Sequence, residues 1–204
     1  MALSKIDIEN MVTGEVNVAN GGTGLSSGTS GQFLKFTGST TVASAAGGGI
    51  TEFDTFFNTA VFAGDANPIT GNWSRNAEAS FEKEGTGVSE SSGTFSFSQT
   101  GKFLILFHCS WTDNSGAGET TYLDAGITTC TNGTDFNNFA EVSASSTSSD
   151  SPKQTATCSG IIDVTNTTNV KCRVFSVVQN NNWKTRGAST QGETYVTFIR
   201  LGDT

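Results

Sequence analysis

Apolar and polar residues are arranged differently on the two sides of residue 50. Beyond it, short runs alternate apolar and polar side chains with period two, as strands with one buried face do. The clearest run is Gly93 to Trp111, GTFSFSQTGKFLILFHCSW. Phe95 and Phe97 alternate with small polar residues, Gln99-Thr100-Gly101 supplies a turn, and Lys102 to Trp111 is apolar on both faces. Phe103, Ile105, Phe107, Cys109 and Trp111 share one face, and Leu104 and Leu106 the other. The pattern predicts a hairpin whose long strand is covered twice, once by the core of an antiparallel sandwich and once by another copy of the chain.

The same reading predicts strands at Phe53 to Phe62, Ile69 to Trp73, Ser80 to Lys83, Thr120 to Thr131, Asn138 to Ser145, Gln154 to Thr165, Asn169 to Gln179 and Thr194 to Leu201. No segment beyond residue 50 makes a convincing helix. Strands spaced this way over residues 50–204 predict an all-β antiparallel sandwich or jelly roll. Residues 1–49 are too poor in large apolar side chains to form a core, and are expected to be an extended, glycine-rich arm. Leu3, Ile6, Ile8 and Met11 mark its start as one or two amphipathic helical turns, or a peptide that orders on a partner. Then Val16 to Val18 and Gln32 to Phe36 alternate with glycine turns. This suits a flexible linker or, with Phe33, Leu34 and Phe36 favouring it, a thin stalk of three wrapped copies.

Composition supports β-structure and narrows the partners. Of 204 residues, 24 are Gly and 15 are Phe, against 2 Pro and 2 Met. The formal net charge of −8 and the scattered basic residues speak against nucleic acid as a partner. No apolar run approaches the roughly 20 residues of a membrane helix, and MALSKIDIEN has no signal-peptide core, so the expectation is a chain made in the cytoplasm with no membrane insertion. Cys109, Cys130, Cys158 and Cys172 lack metal-ligand spacing; buried free thiols are expected, with a Cys158 to Cys172 bridge as the alternative.

The search for chemistry yields little. His108 is the sole histidine and lies in the apolar strand with no nucleophile or carboxylate in a recognisable motif, so a structural or interface role is expected. His108 and Cys109 are neighbours on a strand and point to opposite faces, which speaks against their sharing a metal. Glu78, Glu82, Glu84 and Glu90 cluster before the long strand. Asp113 and Glu119 flank a loop that is a weak calcium candidate without the D-x-D-x-D-G pattern. GGTG is followed by no lysine and no helix, so it is no phosphate loop. The expectation is a non-enzyme with no cofactor. The polar loops Asp113 to Glu119, Ser145 to Lys153 and Asn180 to Gly192 are the candidate contact surface, with Trp183, Lys184 and Arg186 as candidate contact residues.

Three segments carry a resemblance: NPITGNWSRN (Asn67 to Asn76), FEKEGTGVSESSGTFSFSQTGKFLILF (Phe81 to Phe107) and TYVTFIRLGDT (Thr194 to Thr204). They resemble virion structural proteins of marine tailed bacteriophages, particularly those of cyanobacteria. The Phe-x-Phe strand, glycine turn and long apolar strand are similar to the trimeric jelly rolls of complement-type heads and tumour-necrosis-factor (TNF) ligands. MALSKI and VANGGTGLSSGTSGQ resemble the anchor and shaft entry of phage tail fibres. The chain departs from the complement-type pattern in having Ser98-Gln99-Thr100 where a proline usually precedes the turn glycine, and its loops do not match the calcium ligands of those heads.

The resemblance implies a homotrimer on the virion surface, with one apolar face of Phe103, Leu104, Ile105, Leu106 and Phe107 at the threefold axis, helped by Tyr195 or Phe198. It implies an arm, with Leu3, Ile6, Ile8 and Met11, that docks on a tail adaptor or nozzle, and a head that offers its loops to a host-surface glycan or protein. The alternative is a capsid decoration or cement protein, or head fibre, whose arm inserts into the capsid lattice.

Overall fold

The computed structural model describes residue 30 and residues 32–38, 41–45, 49–75, 83–113, 119–147 and 152–204. The chain divides into two compact units, Met1–Gly49 and Ile50–Thr204. In the first, β1 (Phe33–Phe36) and β2 (Val42–Ala45) form a two-stranded antiparallel sheet, pairing Leu34 with Ser44 and Phe36 with Val42. All four residues of β1 are exposed.

The second unit is all β among the described residues. Its strands are β3 (Phe53–Asn58), β4 (Phe62–Ala63), β5 (Trp73–Ser74), β6 (Val88–Ser91), β7 (Thr94–Phe97) and β8 (Gly101–Asp113), followed by β9 (Thr120–Cys130), β10 (Asn137–Ser146), β11 (Lys153–Val164), β12 (Lys171–Val178), β13 (Trp183–Thr185) and β14 (Tyr195–Gly202). One sheet has the order β10-β9-β12-β7-β6. The other runs β4-β13-β8-β14-β3-β5, with β11 paired along the second edge of β8. All pairings are antiparallel and mostly non-consecutive, as in a jelly roll.

Strand β8 alternates as its sequence predicts: Phe103, Ile105, Phe107, Cys109 and Trp111 are buried, while Leu104, Leu106 and His108 face outward and are half-buried. The inner face meets Leu123, Ala125 and Ile127 of β9 and Cys172 and Val174 of β12 in one core. Polar atoms within it are satisfied, since Trp111 Nε1 donates to Ser176 Oγ at 2.8 Å and Ser176 Oγ lies 2.7 Å from Thr185 Oγ1.

The expected hairpin from Gly93 to Trp111 does not form. Strand β7 pairs with β6 and β12 in one sheet, whereas β8 pairs with β11, β13 and β14 in the other. Residues 98–100 therefore carry the chain across the core, and Phe97 meets Phe103 across the sandwich with tilted rings, 4.7 Å between centroids. A hairpin and a crossover both need two alternating strands and a turn. What decides is the partner: β7 already has one in β6, joined by the tight turn Ser92-Gly93, where φ is 50° and 78°. Positive φ at both central residues suits a two-residue hairpin loop.

Other boundaries shift as well. The run Phe53 to Phe62 is broken after Asn58 and resumes as β4 only at Phe62, and the run Ile69 to Trp73 is a strand only at its last residue, Trp73, which opens β5. Residues 80–82 of the expected Ser80 to Lys83 strand, and Val16 to Val18, lie outside the described residues.

Candidate functional site

The outward face of the larger sheet is built from four adjacent strands whose register brings uncharged side chains together. One row across β3, β14, β8 and β11 is Phe57, Tyr195, His108 and Thr157; the next is Thr55, Thr197, Leu106 and Ser159; the third is Phe53, Ile199, Leu104 and Ile161. Directly opposed residues in an antiparallel sheet share a face, so these twelve positions form one patch. None is Asp, Glu, Lys or Arg. Formal charge returns around its margins, at the Lys102–Asp163 pair, at Lys153 and Lys184, which both pair with Thr112, and at Arg186, whose guanidinium lies beside Ser110.

The patch is shaped and partly preordered. Thr55 Oγ1 and Thr197 Oγ1 lie 2.9 Å apart in the middle row. The His108 ring stacks on Tyr195 at 5.0 Å, and its Nδ1 lies 2.8 Å from Thr157 Oγ1. Burial pushes the His108 imidazole below its ordinary pKa, so the neutral form is favoured. Over β3 and β14 the face holds an open groove of about 580 Å³, walled by Phe53, Phe57, Leu106, Tyr195 and Ile199 with Thr190 to Gly192 at its rim. Ile161 remains 56% exposed at the opposite margin.

Behind the face, near the end of β3, two buried carboxylates hold the chain segment that leads into β6. Glu52 accepts from the Thr86 and Gly87 N–H groups at 3.0 and 2.6 Å and from Gln99 Nε2 at 2.5 Å. Asp54 accepts from Val88 N–H at 2.8 Å and from Arg75 Nε and Nη2 at 2.8 and 2.7 Å. That hydrogen bond to Asp54 raises the Arg75 pKa further. Sequence reading passed over Glu52 and Asp54 because neither stands in a motif; their alternation with Phe53 and Thr55 is the signal that places both on the inner side. With their oxygens engaged by donors, they anchor a loop and hold no free acid–base pair. Among the described residues, no group of three His, Cys, Asp or Glu is placed to hold a metal.

The residues expected to carry function separate into distinct environments. Phe103, Ile105 and Phe107 belong to the core, while Leu104, Leu106 and Tyr195 lie on the outward patch. Phe198, expected at the threefold axis, is 1% exposed and packs on Phe95 and Phe97, because it has the opposite parity to Tyr195 on β14. Trp183, expected as an exposed loop anchor, is also a core residue at 1% exposure: residues 183–185 pair with Asp113 to Trp111 of β8, which turns the ring inward. Lys184 and Arg186 are half-buried, and Arg186 is ion-paired with Glu193 and donates its N–H to the Ser110 carbonyl at 2.8 Å. Trp183 is therefore not an exposed anchor. Leu3, Ile6, Ile8 and Met11 lie outside the described residues.

All four cysteines are free and buried. Cys158 and Cys172 face each other's side of the core from different sheets and are both free thiols, so the alternative bridge is not formed in this structure. Burial pushes the Cys109 thiol up to about 12 and Cys158 up to about 11, and raises Cys172 as well. Beside Glu119 and Thr147, a hydroxyl-rich depression of about 570 Å³ is lined by residues that include Thr120, Ser145, Ser146 and Gln179.

No protein-family model and no curated protein matches the chain. Solved structures do: murine APRIL at pH 5.0 superposes with a TM-score of 0.53 at 11% identity, covering 74% of this chain and 98% of that one. Eiger TNF from S. frugiperda gives 0.55 at 10% identity, covering 76% and 96%. The fold is TNF-like. At these identities the likeness is one of fold, and it spans nearly the whole of both neighbours. In this TNF-like sandwich the uncharged patch is the outward face of the sheet that contains the long central strand.

Proposed function

We propose that the chain is a bacteriophage virion structural protein, a homotrimeric short fibre whose residues 50–204 form a head for host-surface attachment and whose residues 1–49 dock on other virion proteins. The observation that carries the association is the uncharged patch of β3, β14, β8 and β11. Charge depletion with apolar and aromatic side chains is typical of the centre of a protein interface. The TNF-like fold supports a trimer in preference to a dimer, and the phage assignment rests on the segments quoted above.

With Trp183 enclosed in the sandwich, host contact is assigned to residues around 113–119 and 145–153 and the hydroxyl-rich depression beside them. Three weak sites on one rigid head, repeated over several fibres, give firm attachment by avidity.

Sedimentation velocity of the full chain tests the association: a trimer is expected for the native sequence and a folded monomer for Leu106→Asp, while a native monomer at micromolar concentration overturns it. Antibody to residues 50–204, imaged on purified virions, tests the location. Label at the tail is expected; label spread over the capsid would replace the fibre by a decoration protein.

A further inference from the structure

The two-stranded sheet β1–β2 is a structure that requires a partner. An isolated pair of strands is marginal in water, and here Phe33, Leu34 and Phe36 are 69%, 57% and 69% exposed. Their alternation puts Phe33 on one face and Leu34 and Phe36 on the other, so burying either face alone leaves bulky apolar surface in water.

The composition of the pair indicates what covers it. β1 is FLKF and β2 is VASA, so bulky side chains follow one strand and small ones the other. Across from Leu34 stands Ser44, and across from Lys35 stands Ala43. Each copy thus offers a ridge along β1 and a shallower strip along β2, surfaces of complementary shape. A ridge-to-strip contact between copies is heterologous, and it closes when the copies are arranged as a ring.

We infer that β1–β2 is a second self-association element, which packs on the same hairpin in the other copies of an associated protein. The inference rests on the trimer proposed for the head. Only the four residues Ala46 to Gly49 connect the hairpin to the second unit, so head association holds the hairpins at an effective concentration on the order of millimolar.

Lys35 supplies the test, because it is the only Lys or Arg between residues 6 and 74 and lies between Leu34 and Phe36. Trypsin cleavage at the Lys35–Phe36 bond is timed in the full-length native chain, in Leu34→Ser/Phe36→Ser, and in Leu106→Asp, with sedimentation run on the same samples. Serine is used at 34 and 36 because an acidic residue beside the bond would itself slow trypsin. The expected result is slow cleavage in the native trimer and cleavage at least tenfold faster in both variants, with the double serine variant still trimeric through its head. Equal rates in the native trimer and the double serine variant overturn the inference and leave the head trimer standing. Protection that persists in monomeric Leu106→Asp also overturns it, since the cover then comes from the same chain. A native protein that is monomeric overturns the inference together with the reading beneath it.

Discussion

Replacing Phe103 by Asp places an unpaired carboxylate at a position 2% exposed, between Phe97 and the rest of the core. The cost is several kcal/mol, comparable to the whole stability of about 5–15 kcal/mol of an ordinary domain, so Phe103→Asp is expected to lack a cooperative unfolding transition in circular dichroism. One residue on, Leu104→Asp puts its charge on the outward patch, where water reaches it in the monomer; that variant is expected to fold and to sediment as a monomer. His108 in the same patch gives a pH dependence. The unfolded chain takes up a proton as pH falls through about 6.5, the folded chain only at lower pH, so stability is full above that value and declines as pH falls from it. The melting temperature is expected to be lower at about pH 5.5 than at about pH 7.5, and His108→Gln is expected to remove part of that difference; identical profiles for the two proteins would exclude His108 as a source.

Among the elements, β6 and β7 show how a turn two residues long decides a topology. Gly93 has φ of 78°, and a Cβ there would lie 2.4 Å from the Ile69 carbonyl oxygen. Gly93→Ala is therefore expected to cost about 1–3 kcal/mol, read as a lower urea midpoint with an unchanged slope. The turn commits β7 to β6, and β8 is then free to pair with β11 and β14. Alternation along Thr94 to Trp111 was legible from residues alone, as were the long strands β9, β10, β11, β12 and β14 to within a few positions. Short strands such as β13 were not, because three residues, WKT, carry no period; their strand character comes from pairing with the far end of β8.

For the molecule as a whole, the two sheets sequester every thiol. All four cysteines are buried, and those with raised pKa values hold very little thiolate at neutral pH. The native protein is expected to release no rapid colour with a disulfide reagent at about pH 8 and four equivalents after denaturation; a fast equivalent in the native state would show that the sandwich opens at β11, where Cys158 retains 8% exposure. The same architecture produces the outward patch. Since the core takes Phe103, Ile105 and Phe107, what is left facing outward is Leu104, Leu106 and the residues that register sets beside them.

By itself the sequence determined the all-β class, the long strand with two apolar faces and the absence of a recognisable catalytic motif, because each depends on the order of residues within one segment. Tertiary structure decided which strands are neighbours. That choice moved Phe198 and Trp183 into the core, split the expected hairpin between two sheets, buried Glu52 and Asp54 under donors from distant segments, and assembled one uncharged patch from four separate stretches of chain. The physical reason is that period two fixes which side chains share a face of a strand, whereas pairing partners and register depend on hydrogen bonds between residues far apart in sequence, to which local alternation is indifferent.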